Sequence, residues 1–154
     1  MRVEARKTPL TTFQVETWDS YFEGIGVLWE EHKSEIGSVD QMKINIPLYR
    51  GLEARGELFI LTARRAGQIV GYVVAKICLH PHYDFLAAFE DGYFLHKSVR
   101  GEGLGKKLFE ETFRLWTKRG VKKGFLHSKT LKAHRDLFGD LGCFHSDEIW
   151  TKVL

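Results

Sequence analysis

At 154 residues, 44% hydrophobic and 13% aromatic, the chain is long enough to bury one sizeable core and too short for two ordinary domains, so one domain covering residues 1–154 is expected. The net charge of +3 is modest, but Lys106, Lys107, Arg114, Lys118, Arg119, Lys122, Lys123, Lys129, Lys132 and Arg135 face only Glu110, Glu111 and Asp136 nearby. This asymmetry suits an anionic ligand without choosing between a polyphosphate and a nucleic acid. Cys78 and Cys143 lie far apart with no Cys-x-x-Cys spacing, which indicates neither a disulfide framework nor a zinc ribbon. Met1–Lys7 leads into no signal-like apolar run and no stretch reaches membrane-spanning length, so a cytoplasmic location is expected.

In chain order, a short strand is expected near Arg2–Arg6. Thr11-Thr12 and Asp19-Ser20 offer caps for helical segments in which Trp18, Phe22, Ile25, Trp29, His32 and Ile36 recur on one face, with a break at Gly24 and Gly26. Asn45 and Pro47 mark another helix start, with Leu48, Tyr49 and Leu52 turned inward and Gly56 ending it. The β-rich runs 58–64 and 69–79, joined by Arg65-Ala66-Gly67-Gln68, predict an antiparallel hairpin. After a connection over residues 80–86, a third strand spans 89–97. A helix follows with Leu104, Leu108, Thr112, Leu115 and Trp116 inward, ending at Gly120. Residues 124–127 form a short buried strand, set parallel to the previous one by the helical crossover. A helix over 131–141, a turn at 142–144 and a last strand over 149–154 complete the chain.

The stretch from Tyr93 to Phe109 organises this pattern, because it carries an apolar run through Gly101, Gly103 and Gly105 into an amphipathic helix. Glycines there leave backbone N–H groups uncovered at a helix N-terminus, where the dipole also favours negative charge. The Walker pattern fails because no glycine occupies position 100, and the dinucleotide fingerprint fails because position 106 is Lys. What remains is Arg-x-x-Gly-x-Gly, with Arg100, Gly103 and Gly105.

That loop, the element order around it, and Asp140-Leu141-Gly142-Cys143-Phe144, which is similar to a Leu-Gly-Phe turn with Cys143 inserted, resemble the GNAT N-acetyltransferase superfamily over nearly the whole chain. The run from His80 to Leu95 also looks like GNAT proteins encoded by bacteriophages, for which the location would be the host cytoplasm. The resemblance implies an α/β (α+β) GNAT fold, with a mixed central sheet of about six to seven strands and helices on both faces. It implies acetyl-CoA (coenzyme A) as cofactor. The pyrophosphate would be held by Arg100, Gly101, Glu102, Gly103, Leu104, Gly105 and Lys106, and the thioester carbonyl by a backbone N–H at Leu95 or beside it, near His96 and Lys97. Substitution of Gly103 or Gly105 would then crowd the phosphate.

The activity implied is direct acetyl transfer to an amine in a ternary complex. A primary amine of pKa about 10 attacks only when deprotonated, so a base is useful, and Glu90 and Asp91 lie just upstream of Leu95, one of them facing the cleft. His82 and Tyr83 are candidates for lining the acceptor cleft and relaying protons. His80, His82 and His96 have poor metal-ligand spacing and no metal is expected. The family's tyrosine that protonates the departing thiolate falls on Phe138, which has no hydroxyl; His134, Ser128, Thr130 or water are the substitutes. The alternative function is a non-catalytic GNAT-like module binding acetyl-CoA, or a host protein or nucleic acid. The expected partner is a small-molecule or peptide amine rather than nucleic acid or membrane. The sequence leaves the acceptor and the oligomeric state open, a homodimer included.

Overall fold

Regular structure begins at Thr11–Val15 (β1), where β-branched Thr11, Thr12 and Val15 pair antiparallel with the later hairpin instead of capping a helix. The computed structural model describes residues 9–37, 42–128 and 134–154; the expected strand near Arg2–Arg6 lies outside them. Thr17 is the cap, its hydroxyl accepting from the Ser20 N–H at 3.2 Å, and it opens Trp18–Gly24 (α1). Ile25 separates this from Gly26–Ile36 (α2), so the glycine pair does break the helical pattern. The face that becomes buried is Trp18, Tyr21, Ile25 and Leu28; Phe22, expected inside, is exposed. Asn45 caps Ile46–Ala54 (α3) by accepting from the Leu48 N–H at 3.1 Å. Leu52 points inward from α3, Tyr49 is half-buried, and Leu48 is turned to solvent.

Leu58–Arg65 (β2) and Gln68–Leu79 (β3) form the expected hairpin, and Leu86–Leu95 (β4) pairs antiparallel with β3. The near-continuous apolar character of β2 reflects burial on both faces: Phe59, Leu61 and Ala63 pack on one side, Ile60 on the other. Leu104–Lys118 (α4) is strongly amphipathic and lays Leu108, Phe109 and Trp116 over the first of these faces. The α1–α3 layer covers the second with Trp18, Tyr21 and Ile25 against Ile60, Tyr72 and Phe94. Each of these fully buried large side chains contributes about 2 kcal/mol by removal from water. The crossover through α4 returns the chain to Lys123–Phe125 (β5), parallel to β4.

The sheet is mixed, as expected, and among the described residues it has five strands in the order β1-β2-β3-β4-β5 rather than six or seven. Among the described residues, the strand expected at residues 149–154 does not form. Those residues form no regular structure, and Ile149 and Trp150 are 76% and 88% exposed. Strand propensity needs a ladder to express it, and β5 supplies an edge of only three residues. The last helix is Arg135–Asp140 (α5), shorter than expected, with residues 129–133 outside the description. Cys78 and Cys143 are free and half-buried, and burial pushes the Cys143 thiol up from its ordinary range.

Candidate active site

The site is built on β4, whose register against β3 slips in the middle. Ala75 is opposite Glu90 and Val74 is opposite Gly92, so Asp91 is an extra residue on β4. Neighbouring residues of a strand point to opposite faces of the sheet, and these two carboxylates do so. Glu90 is 4% exposed and meets the β5 side, while Asp91 is exposed and meets α3.

Beyond the bulge, β4 loses its neighbour on the β5 side, because the parallel pairing ends at Phe89 with Phe125. The His96 N–H donates to the Val70 carbonyl at 2.8 Å, which makes that pair a hydrogen-bonded one. Alternation along an antiparallel ladder then turns the N–H groups of Leu95 and Tyr93 away from β3, into the opening. The Leu95 carbonyl is taken by Arg100, whose Nε and Nη2 donate to it at 3.0 and 2.8 Å. Arg100 also pairs with Glu35 at 2.8 Å and lies over the Phe94 ring. The side chain expected to hold phosphate therefore fastens the strand end to α2. His96 and Lys97 are fastened there too: His96 Nε2 lies 3.2 Å from a Glu31 carboxylate oxygen, and the Lys97 N–H donates to Glu31 at 3.1 Å.

A short 3-10 turn over Lys97–Val99 leads into the glycine loop. Gly101 and Gly103 adopt φ of +80° and +74° with open space where a Cβ would stand, a left-handed backbone that other residues rarely take. Gly103 is the N-cap of α4, so no side chain caps the helix, its first turn carries no acid, and Lys106 and Lys107 add positive charge. The first N–H groups of α4 have no intrahelical acceptor. This donor set fits a polyphosphate. Gly105 serves a different end from the one expected: a Cβ there would lie 2.4 Å from the Tyr93 hydroxyl, so its absence lets α4 pack against β4. The carboxylate of Glu102 points away to Arg65 at 2.5 Å.

On the α1–α3 face, the Tyr49 hydroxyl donates to Asp91. The Tyr49 ring is stacked on buried Trp18 at 4.7 Å, and burial followed by the Asp91 contact pushes its phenol far above the ordinary range. Tyr72, opposite Phe94, shares a hydrogen bond of 2.6 Å with His32 Nδ1, and His32 stacks on Phe94 at 4.6 Å. Trp18, Trp29 and His32, expected in the core, also line the cleft; Trp18 is 1% exposed and does both.

On the β5 side, the Glu90 carboxylate accepts from the His127 backbone N–H at 2.9 Å, and His127 Nδ1 lies 2.5 Å from the Glu90 backbone carbonyl. The bond to Glu90, with further support from the charge of Asp91, raises the His127 pKa against the opposing effect of burial. His127 was missed in the sequence because a lone histidine at a strand end carries no spacing signal. Only the parallel pairing brings it beside Glu90. One continuous cleft joins Tyr49 and Asp91 to His127, Gly103, Gly105 and Phe138.

His82 and Tyr83 stand elsewhere, in the β3–β4 connection at the end of the sheet opposite the glycine loop. Tyr83 stacks on Phe85 at 5.2 Å, with Lys123 over its ring. Both are exposed. Phe138 packs edge-on against Phe109, Ser128 accepts from the His134 N–H at 2.8 Å, and Thr130 lies outside the described residues. Among the described residues, no group of three or more His, Cys, Asp or Glu could hold a metal ion, and no helix is long and apolar enough to cross a membrane.

The acetyltransferase (GNAT) family model matches residues 15–139, which takes in the bulge, the loop, α4 and most of α5. The chain belongs to the GNAT acetyltransferase family. As a GNAT protein it uses acetyl-CoA, and the splayed strands and uncapped helix fit that molecule's thioester arm and phosphates. Its fold is shared by a ribosomal-protein-alanine N-acetyltransferase from Brucella melitensis biovar Abortus 2308, with a TM-score of 0.77 at 16% identity over 94% of this chain and 98% of that one. A predicted acetyltransferase with acetyl-CoA from Clostridium acetobutylicum has a TM-score of 0.73 at 15% identity over 94% and 96%. An aminoglycoside acetyltransferase from an uncultured soil metagenomic sample has a TM-score of 0.71 at 17% identity over 94% and 99%. No curated protein matches this GNAT sequence.

Proposed function

We propose that the protein transfers the acetyl group of acetyl-CoA to an amine by direct attack within a ternary complex. The observation that carries this reading is the opening of β4 beside β5, with the N–H groups of Tyr93 and Leu95 facing it and a carboxylate, Asp91, at its edge. Backbone N–H groups from Gly101 to Lys106 would hold the pyrophosphate, with Lys106 and Lys107 adding charge. Bound acetyl-CoA supplies an activated acetyl thioester. One of the two strand N–H groups would donate to the carbonyl oxygen as negative charge develops there, a contribution on the order of 3 kcal/mol.

The amine enters from the α1–α3 face. An amine of pKa about 10 arrives as an ammonium ion, and exposed Asp91 beside the Tyr49 ring attracts that charge and accepts its proton. The burial of Glu90 and its bond to the His127 amide support Asp91 rather than Glu90 as the base. The acceptor class is therefore a cationic amine, presented by a small molecule or a peptide.

Acetyl-CoA should raise the melting temperature, since a ligand at 100 times its Kd stabilises the native state by about 2.7 kcal/mol. Thiol release should follow with members of an amine panel. Asp91→Asn should lower turnover by about 10²-fold with acetyl-CoA affinity retained. Cofactor binding without thiol release towards any amine would select the non-catalytic binding module instead, a reading to which Phe138 lends support. No thermal stabilisation by millimolar acetyl-CoA would refute the enzyme reading.

A further inference from the structure

The departing coenzyme A thiolate, whose thiol has a pKa of about 8.5, needs a proton near neutral pH for a clean exit. Several groups near the opening do not suit that task. Phe138 carries no ionisable group. Burial pushes the Tyr93 phenol up to about 12, which makes it a weak acid for a thiolate. Asp91 lies on the opposite face, with Tyr49.

His127 has the required geometry. It lies two residues beyond Phe125, the last residue of β5 and the partner of Phe89 on β4, which sets it level with the bulge. A backbone carbonyl can only accept, so the 2.5 Å contact with Glu90 fixes the ring proton on Nδ1 and leaves Nε2 on the far edge of the ring. The side chain is 51% exposed and lines the cleft, whereas the Glu90 side chain behind it is 4% exposed.

We infer that His127 is the proton donor to the coenzyme A leaving group, with Glu90 as the residue that positions it. The inference rests on the acetyltransferase reading above. The amine nitrogen forms its bond to the acetyl carbon, the carbon–sulfur bond breaks with its electron pair staying on sulfur, and Nε2–H passes its proton to that sulfur. Asp91, having passed the ammonium proton to solvent, takes the second proton from the nitrogen, and solvent returns a proton to Nε2. The two proton transfers thus take place on opposite faces of the sheet, to which alternation along β4 directs Glu90 and Asp91. The raised pKa of His127, caused first by its bond to Glu90, supports the role by keeping the ring charged nearer to neutral pH.

The test uses the full chain and its His127→Gln and Glu90→Gln variants. The first readout needs no turnover: the thiol of bound free coenzyme A is titrated by the ultraviolet absorbance of its thiolate. In the wild type the imidazolium should lower that thiol pKa by about a unit, and His127→Gln should restore it. The second readout is the nuclear magnetic resonance titration of His127 in the free protein, whose midpoint should fall in Glu90→Gln. The third is kinetic: His127→Gln should lose about 10²-fold in kcat with the KM for acetyl-CoA unchanged. Undiminished turnover in His127→Gln, or an unshifted thiol titration in the wild type, would overturn the inference while leaving the acetyltransferase reading intact. Failure of the wild type and both variants to bind acetyl-CoA at all would overturn both.

Discussion

Gly124 on β5 carries a packing constraint that can be worked through from the structure. A Cβ added there would lie 2.6 and 3.1 Å from two atoms of the Trp116 ring, where ordinary contacts begin near 3.4 Å. Trp116 is 2% exposed and is wedged between Phe59 at 5.9 Å and Phe113 at 5.7 Å, so its ring cannot swing clear into solvent. Overpacking of this kind costs about 1–3 kcal/mol. Gly124 does not have a positive φ, so alanine meets no backbone strain and recovers about 0.5–1 kcal/mol of the entropy that glycine loses in a strand. The net expectation for Gly124→Ala is a loss of about 1–2 kcal/mol, read as a drop in melting temperature of roughly 2–8 °C for a chain of this length. Because β5 defines one side of the opening, acetyl-CoA affinity should fall as well. Thermal unfolding and urea denaturation of the single variant, of Trp116→Leu and of the double variant would check the assignment. Trp116→Leu alone should cost about 2–4 kcal/mol through its cavity, and the double variant should be more stable than the sum of the singles. A Gly124→Ala protein as stable as the wild type, or strictly additive losses, would refute the reasoning.

Two further substitutions bear on the loop and the framework. Gly105→Ala should lower both the melting temperature and acetyl-CoA affinity, and Tyr93→Phe should relieve much of that loss by removing the hydroxyl that the new Cβ meets; a calorimetric titration showing no relief would return Gly105 to a direct role at the phosphate. Glu16 is 8% exposed and is held by Arg64 at 2.7 Å, Thr62 at 2.6 Å and Ser20 at 2.7 Å. Arg64→Ala strands its carboxylate and should cost about 3 kcal/mol in urea denaturation at neutral pH. Burial alone would raise the Glu16 pKa, but the hydrogen bonds from Arg64, Thr62 and Ser20 and the charge of Arg64 outweigh it and leave the value below 4.5. Its contribution to stability is therefore complete above that unfolded value and is lost as pH falls through the folded one. Glu16→Gln should remove this part of the acid slope in urea midpoints measured across pH.

Local chemistry written in the sequence is what proved legible. Asn45 and Pro47 opened α3, the turn at residues 65–68 closed the hairpin, and the glycines of residues 101–105 marked where β4 passes into α4, because each of these features acts within a few residues of itself. The family resemblance rested on the same local signals in their order, and residues 15–139 match the family model. Features that depend on distant partners were not legible. Ile149 and Trp150 have strand character but no ladder to join, and Thr11 and Thr12 found one in β2. Arg100 reads as a phosphate ligand until Glu35 and the Leu95 carbonyl, brought together by α2 and β4, occupy its guanidinium. The adjacent acids Glu90 and Asp91 look equivalent in the chain. Alternation along β4 sends them to opposite faces, but only the packing of α3 gives Asp91 a tyrosine and only the parallel return through α4 gives Glu90 a histidine. The sequence by itself determined the turns, the caps, the two-sided core and the bare backbone at the start of α4. Tertiary structure decided which side chains share the opening, because strand register and crossover hand are properties of pairs of segments that no single segment carries.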